Sequence, residues 1–364
     1  MIRALIVDDE APARDRLRRL LSPADVTVVG EAENGVEAIA RIAALQPDLV
    51  FLDIQMPALS GLEVAARLPA PRPRIVFCTA YDRFAVEAFE LHAVDYVLKP
   101  VHRDRLMTAV NRIAGEIAEQ RHRTRERDDA VRTQRRLMPE TAPEQSGLDC
   151  AGVCIPAEGV GGDYYDFLPM EGGRLGLVVG DVSGKGVYAG LLAAALQARL
   201  QAITSRATGT SGSVIRELNR LTAGTIEANR FATVFFGAFD RTASTLTYVN
   251  AGHPAAVVVA ADGKMTTLDA TSSAVGWASD AHFEERTIAF SPGDVVAIYS
   301  DGISEAAAPD GRDFGVEGVA RILGRHRSGH SAEIITALCA EVDRFSAGAP
   351  ASDDRTVLIA RVER

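Results

Sequence analysis

The sequence predicts an α/β chain in three parts: a (βα)5 doubly wound parallel sheet, a helical linker, and an α-β-β-α sandwich. Three observations lead there. Up to Lys99, runs rich in Val, Ile, Leu and Phe alternate with helix-length segments, as strands and helices do around a parallel sheet. Residues 112–136 are rich in Arg with interspersed acids and hold no Pro. From about Gly147 the chain turns β-rich, with hairpin-like turns such as "EGG" and "ADGK" between short runs, which favours antiparallel sheets covered by helices. The expected boundaries are 1–120, 121–143 and 144–364.

In the first part, "RALIVDD" reads as a buried strand ending in acids. A helical pattern through Leu17, Leu20 and Leu21 follows, then "VTVVGEAENG", a helix at Val36 to Leu45, "DLVFLDIQMP", "RIVFCTA" and "DYVLKP". Chemistry in such sheets sits at the carboxyl ends of the strands. Asp8, Asp9, Asp53, Thr79 and Lys99 all fall there. Three carboxylates at one sheet edge repel unless a cation joins them, and a hard divalent ion, Mg²⁺, suits oxygen ligands. Lys99 would complement a new negative charge on Asp53, and Thr79 could hydrogen-bond it.

The motifs "DDE", "FLDIQMP", "CTA" and "LKP", in that order, resemble the response-regulator receiver family over about the first third of the chain. The resemblance implies that Asp53 accepts a phosphoryl group from a cognate histidine kinase. It further implies that Asp8, Asp9 and Asp53 hold Mg²⁺ with the backbone of Gln55, that Thr79 and Lys99 report the phosphoryl group, and that Tyr96 is the switch aromatic.

In the linker, Leu106, Val110, Ile113 and Ile117 are spaced as a heptad seam. The same register continues through Gln120, Thr124, Arg127, Val131, Gln134 and Met138, where it turns polar. A solvated helix fits this better than a flexible tether, ending before Pro139 and Pro143. Parallel pairing in a homodimer is the expected use, with a passive charged spacer as the alternative.

In the third part the strand-like runs are "LDCAGVCIPA", "YDFLPM", "RLGLVVGD", "ATVFFGAFD", "TLTYVNAG", "AAVVVA", "DVVAIYSDG" and "RTVLIARV". Long helical segments are expected near Ala189 to Ser205 and Ser213 to Asn229. "GDVSGKG", Gly180 to Gly186, imitates a phosphate-binding P-loop, but its first spacing is one residue short and Gly186 stands where a metal-binding hydroxyl is needed. What it offers is Asp181 at a strand end. Asp163, Asp301, Asp353 and Asp354 recur in similar Gly-rich settings. With no His or Cys cluster beside them, they suit two Mn²⁺ or Mg²⁺ ions. Such ions, ~3.5–4 Å apart, could activate water for in-line attack on phosphorus without a covalent nucleophile. His253 in "NAGHP" reads as a turn or packing residue, and Lys185 as a solvated loop lysine or a phosphate contact.

"GGDYYD", "GDVSGKG", "RFATVFFGAFD", "NAGHP", "YSDGISEA" and "DDRTVLIAR" resemble the metal-dependent serine/threonine protein phosphatases of the bacterial SpoIIE-like branch, over about the last three-fifths of the chain. The resemblance implies that Asp163 and Asp181 bridge the two metals, that Asp301 and Asp353 complete the site with the carbonyl of Val182, and that Asp354 is a ligand or supports one. It implies as substrate a phosphorylated anti-sigma-factor antagonist in a partner-switching pathway. The alternative from another class is a phosphorylation-controlled adaptor whose phosphatase-like part binds without catalysis.

Composition sets the outer limits. The 364 residues carry a net charge of −10, which argues against generic nucleic-acid binding. Of the four cysteines, Cys150 and Cys154 are spaced for neither a redox pair nor a zinc half-site, and buried thiols are expected. Acids at Asp8 to Glu10 come too early for a signal peptide, and the apolar stretch near Leu191 to Leu200 is broken by Gln197 and Arg199. A cytoplasmic protein without membrane contact is the expectation.

Overall fold

A computed structural model describes residues 1–80, 94–139, 141, 143, 147–157, 159–206, 209–226 and 230–363. The chain divides into two units, Met1–Arg125 and Glu126–Arg364.

In the first unit the order is β1 (Ile2–Val7), α1 (Ala11–Leu21), β2 (Val26–Ala32), α2 (Gly35–Leu45), β3 (Leu49–Leu52), α3 (Gly61–Arg67), β4 (Arg74–Thr79), β5 (Asp95–Leu98) and the greater part of α4 (Arg103–Arg135), whose last residues belong to the second unit. The five strands pair in parallel in the order β2-β1-β3-β4-β5. The doubly wound sheet expected from the sequence is therefore present. Every residue of β3 is buried, because it lies in the middle of the sheet with apolar layers on both faces. The strand order reverses between β1 and β3, so the crevice where such sheets bind ligands opens at the ends of those two strands, beside Asp8 and Asp53. Helix starts follow local chemistry: Asn34 caps α2 by accepting from the Glu37 amide at 2.9 Å, and Ser60 with Glu63 forms a capping box on α3.

The apolar half of the linker seam has a different use from the one expected. Leu106, Val110, Ile113 and Ile117 are buried in the core of the first unit, packed with Ile2, Leu17, Leu49 and Val97. A stripe that covers a sheet and a stripe that faces a partner helix both recur every three to four residues, and here the sheet takes it. Only the polar continuation from Gln120 to Ala130 remains largely exposed on α4.

The second unit stacks two antiparallel five-stranded sheets. One has the order β13 (Arg286–Ala289), β10 (Thr245–Ala251), β9 (Ala232–Asp240), β8 (Leu175–Val182), β7 (Tyr164–Pro169); the other has β12 (Met265–Leu268), β11 (Ala256–Val259), β14 (Val295–Tyr299), β15 (Arg355–Val362), β6 (Leu148–Ile155). Between them lies a core that includes Phe235, Phe239, Leu246, Ile298 and Leu358. Helices α5 (Val187–Thr204) and α6 (Ser211–Thr222) cover the first sheet. The short α7 (Asp301–Ser304), then α8 (Gly315–His326) and α9 (Ser331–Phe345), lie on the second. The α-β-β-α sandwich holds, although the segments that form its second helical layer and the short strands β12 and β13 were not placed from the sequence. The helix expected to reach Asn229 ends at Thr222, and residues 227–229 lie outside the described residues. The four cysteines are free thiols, and burial pushes the Cys154 thiol up to about 12. Among the described residues no helix is long and apolar enough to cross a membrane.

Candidate active site

In the first unit, Asp8 and Asp9 follow β1, and Asp53 follows β3. One carboxylate oxygen from each lies within 4.8 Å of the other two. Asp8 and Asp53 are buried, Asp9 exposed. The Lys99 ammonium, after β5, reaches Asp8 at 2.7 Å and Asp53 at 2.6 Å. Burial raises the Asp8 carboxyl above the usual range, with Lys99 acting in the opposite direction. Burial alone would lower Lys99, but its bonds to Asp53 and Asp8 outweigh that and raise it. The amide of Gln55 points at Asp53 Oδ1 from 3.4 Å. At the end of β4 the Thr79 hydroxyl is buried without a hydrogen-bond partner among the described residues, and Tyr96 is half-buried on β5. Three close acids, a cation and an unpartnered hydroxyl at one sheet edge fit a divalent ion beside an incoming anion.

In the second unit, the acids come from both sheets at one end of the sandwich. Asp163 immediately precedes β7, and Asp181 closes β8. The register Tyr164 to Gly180 makes these two acids neighbours on adjacent strands. Asp301 begins α7 just after β14, and Asp353 and Asp354 lead into β15. The Ser300 amide donates to the Thr356 carbonyl at 3.0 Å, which ties those two strand ends together.

Asp163 is the deepest, 2% exposed, and its Oδ2 has no hydrogen-bond partner among the described residues. Burial, then the charge of Asp181, holds its carboxyl well above the usual range. Burial and the charge of Asp301 push Asp181 up to about 6. Asp301 is raised as well, by burial and by Asp353. An orphaned buried carboxylate oxygen among mutually repelling acids fits a site built for cations. Among the described residues, no three of these acids bring oxygens as close together as the trio in the first unit. Lys185 partly offsets them, 3.3 Å from Asp353 Oδ2 and donating to the Ser352 carbonyl at 2.6 Å.

Asp354 has its own task. Its Oδ1 accepts from the Ala157 amide at 2.8 Å and its Oδ2 from the Gly162 amide at 2.9 Å. Both oxygens thus brace the loop that presents Asp163, and Asp353 is the member of the pair turned toward Lys185 and Asp301. Further bonds hold two glycines of the loop: the Gly161 amide and carbonyl both meet the Gln134 side chain, and the Gly162 carbonyl accepts from the Val182 amide at 3.2 Å. Neither glycine could carry a side chain. A Cβ on Gly161 would come within 2.0 Å of Asp354 Oδ2, and one on Gly162 within 2.6 Å of the Val182 carbonyl.

"GDVSGKG" is accordingly the end of β8 and the turn into α5. Gly186, the residue before the helix, has φ 77°, a conformation that favours glycine. His253 is buried, with Nδ1 2.9 Å from Thr233 Oγ1. Burial lowers it to about 3, so it is a neutral packing residue, as read from the sequence. Gln134 was passed over there as one polar position among several. No sequence motif marks a side chain whose partners are backbone groups.

Residues 4–111 match the response regulator receiver domain, and residues 171–363 match the family described as Stage II sporulation protein E (SpoIIE). Among curated relatives, the transcriptional regulatory protein BtsR of Salmonella typhi is 52% identical over 122 residues, 33% of this chain and 51% of BtsR. The chain thus spans about half the length of the curated relatives it matches. Among solved structures, the SiaA-PP2C domain of Pseudomonas aeruginosa superposes with a TM-score of 0.60 at 21% identity, over 67% of this chain and 98% of that domain. The RsbU and RsbW domains of Rv1364c from Mycobacterium tuberculosis give 0.54 at 27% identity, over 63% and 64%. The second unit therefore has the PP2C-type phosphatase fold, and the first is a receiver.

Proposed function

We propose, for a chain that belongs to the Stage II sporulation protein E (SpoIIE) family and carries a response regulator receiver domain, a metal-dependent phosphoserine or phosphothreonine protein phosphatase controlled by phosphorylation of Asp53. The observation that carries the reading is the set Asp163, Asp181, Asp301 and Asp353, drawn from both sheets around a buried oxygen of Asp163 that has no partner. These carboxylates, with the Val182 carbonyl, would hold two Mn²⁺ or Mg²⁺ ions. When bound, such ions polarise a phosphoryl group and activate water for in-line attack. The acids supply position and charge, Asp354 keeps the Asp163 loop in place, and Lys185 sits where an approaching phosphate would meet a cation.

In the receiver, Asp53 would take the phosphoryl group from a histidine kinase beside Mg²⁺ on Asp8 and Asp9, and Lys99 and Thr79 would grip it. The preferred substrate is a phosphorylated anti-sigma-factor antagonist, the class implied by the resemblance of the sequence motifs. A homodimer through α4 would have to use its exposed polar stretch, since the apolar stripe lies in the receiver core. A cytoplasmic setting accords with these partners.

Replacing Asp301 with Asn tests the enzyme reading. Metal-dependent phosphate release from a phosphoserine protein should fall to background while circular dichroism stays unchanged. Activity retained by the variant would end the assignment.

A further inference from the structure

Helix α4 ends at Arg135, and one residue earlier Gln134 turns its carboxamide onto Gly161. Nε2 donates to the Gly161 carbonyl at 2.7 Å, and Oε1 accepts from the Gly161 amide at 3.1 Å. One side chain thereby satisfies both backbone groups of a buried residue two positions before Asp163. Three further bonds join the same stretch to the metal-ligand strand, one directly and two through Gln197. The Tyr165 hydroxyl donates to the Pro139 carbonyl at 2.9 Å, and Gln197 Nε2 reaches both the Leu137 carbonyl at 2.8 Å and Asp166 Oδ2 at 3.1 Å. Space is tight on the far side too: a Cβ on Gly190 of α5 would lie 3.3 Å from Gln134 Nε2 and 2.2 Å from Val160 Cγ1.

We infer that Gln134 is a positioning residue for the phosphatase site: its two-point grip on Gly161 fixes the loop that places Asp163, and so sets the affinity of the site for divalent metal. The inference rests on the two-metal reading proposed above. The physical argument is one of alternatives. Asp163 needs an exact place because its carboxylate is buried and its Oδ2 has no hydrogen-bond partner among the described residues, whereas a Gly-Gly loop left to itself samples many conformations. Asp354 holds the loop from the β15 side at Ala157 and Gly162, and Gln134 holds it from the helix. If the grip is lost, the buried Gly161 amide and carbonyl are left without these partners, and relieving that cost means moving the loop. Groups that support metal ligands from behind typically alter metal affinity ten- to hundredfold when removed. Because α4 is continuous from Arg103, a displacement of its end by about an ångström would break the same bonds.

The test is Mn²⁺ titration by calorimetry on the full chain, in an Asp9→Asn background that weakens the receiver's own cation site. Gln134→Leu should bind Mn²⁺ about ten- to hundredfold more weakly, with a cooperative melting transition kept in EDTA and with turnover that recovers at saturating Mn²⁺. Gln134→Glu keeps the acceptor for the Gly161 amide and loses the donor, so its affinity should fall between. It also serves as the readout if the leucine variant does not fold. Parent-like Mn²⁺ affinity in a folded Gln134 variant, with binding lost in Asp163→Asn, would overturn the positioning role and leave the two-metal reading intact. Full Mn²⁺ binding in Asp163→Asn would overturn both.

Discussion

The raised Asp181 carboxyl makes the substitution Asp181→Asn a test in which stability and metal binding move in opposite directions. Lifting this group from its ordinary 3.8 to about 6 disfavours its ionised form in the folded chain by about 3 kcal/mol. Asp181 is partly exposed, so solvent screening reduces the expected effect to roughly 1–3 kcal/mol. Its folded value lies above its unfolded one, so the contribution to stability is fully present below about pH 4 and is lost as pH rises through about 6. At pH 7.5 in EDTA the asparagine variant, which cannot ionise, should therefore unfold at higher denaturant than the parent; at pH 4 the difference should vanish. Saturating Mn²⁺ should reverse the order, since a site filled at a hundred times its dissociation constant adds about 2.7 kcal/mol to the parent and less to a variant missing a ligand. The single tryptophan, Trp277, lies in the phosphatase unit with its ring 5.5 Å from Phe231, so urea titrations followed by its emission report on that unit. Equal stability of the two proteins in EDTA at pH 7.5, or equal gain on adding Mn²⁺, would refute the reasoning.

Other substitutions probe the scaffold and the receiver. Gly162→Ala forces a methyl group to within 2.6 Å of the Val182 carbonyl, and should cost about 1–3 kcal/mol along with most Mn²⁺ binding in calorimetry. Gly324→Ala, in α8 with open space around it, should instead stabilise the chain by up to about 1 kcal/mol and leave Mn²⁺ binding untouched. Asp53→Asn should abolish phosphoryl incorporation from acetyl phosphate, read as loss of the shifted band in a phosphate-affinity gel, while the Trp277 emission of the resting protein stays as in the parent.

The legible parts of this protein were those where sequence order and chemistry coincide. Each receiver strand is a run of apolar residues ended by an acid, a Thr or a Lys, so the strands and the set Asp8, Asp53, Thr79 and Lys99 could be read together. The phosphatase strands were readable for the same reason, with Asp163, Asp181, Asp301 and Asp353 at their ends. The α-β-β-α architecture was read, but the segments α8 and α9 that form its second helical layer were not located. Gly315, Gly318 and Gly324 in α8 depress its helix propensity, although Gly318 is where Phe314 packs. The stripe on α4 misled because its spacing does not say whether a sheet or another helix faces it. Gln134 was illegible because its partners are a backbone amide and carbonyl that tertiary folding alone brings to it, whereas Asp354, read as a ligand or the support of one, makes bonds of the supporting kind to the Ala157 and Gly162 amides.

The most direct measurement is the rate of phosphate release from a phosphoserine protein with Mn²⁺, comparing the chain with its receiver unmodified and loaded with beryllofluoride. The account predicts a metal-dependent rate that changes with receiver state. Absence of turnover in both states, with the fold and Mn²⁺ binding intact, would contradict it.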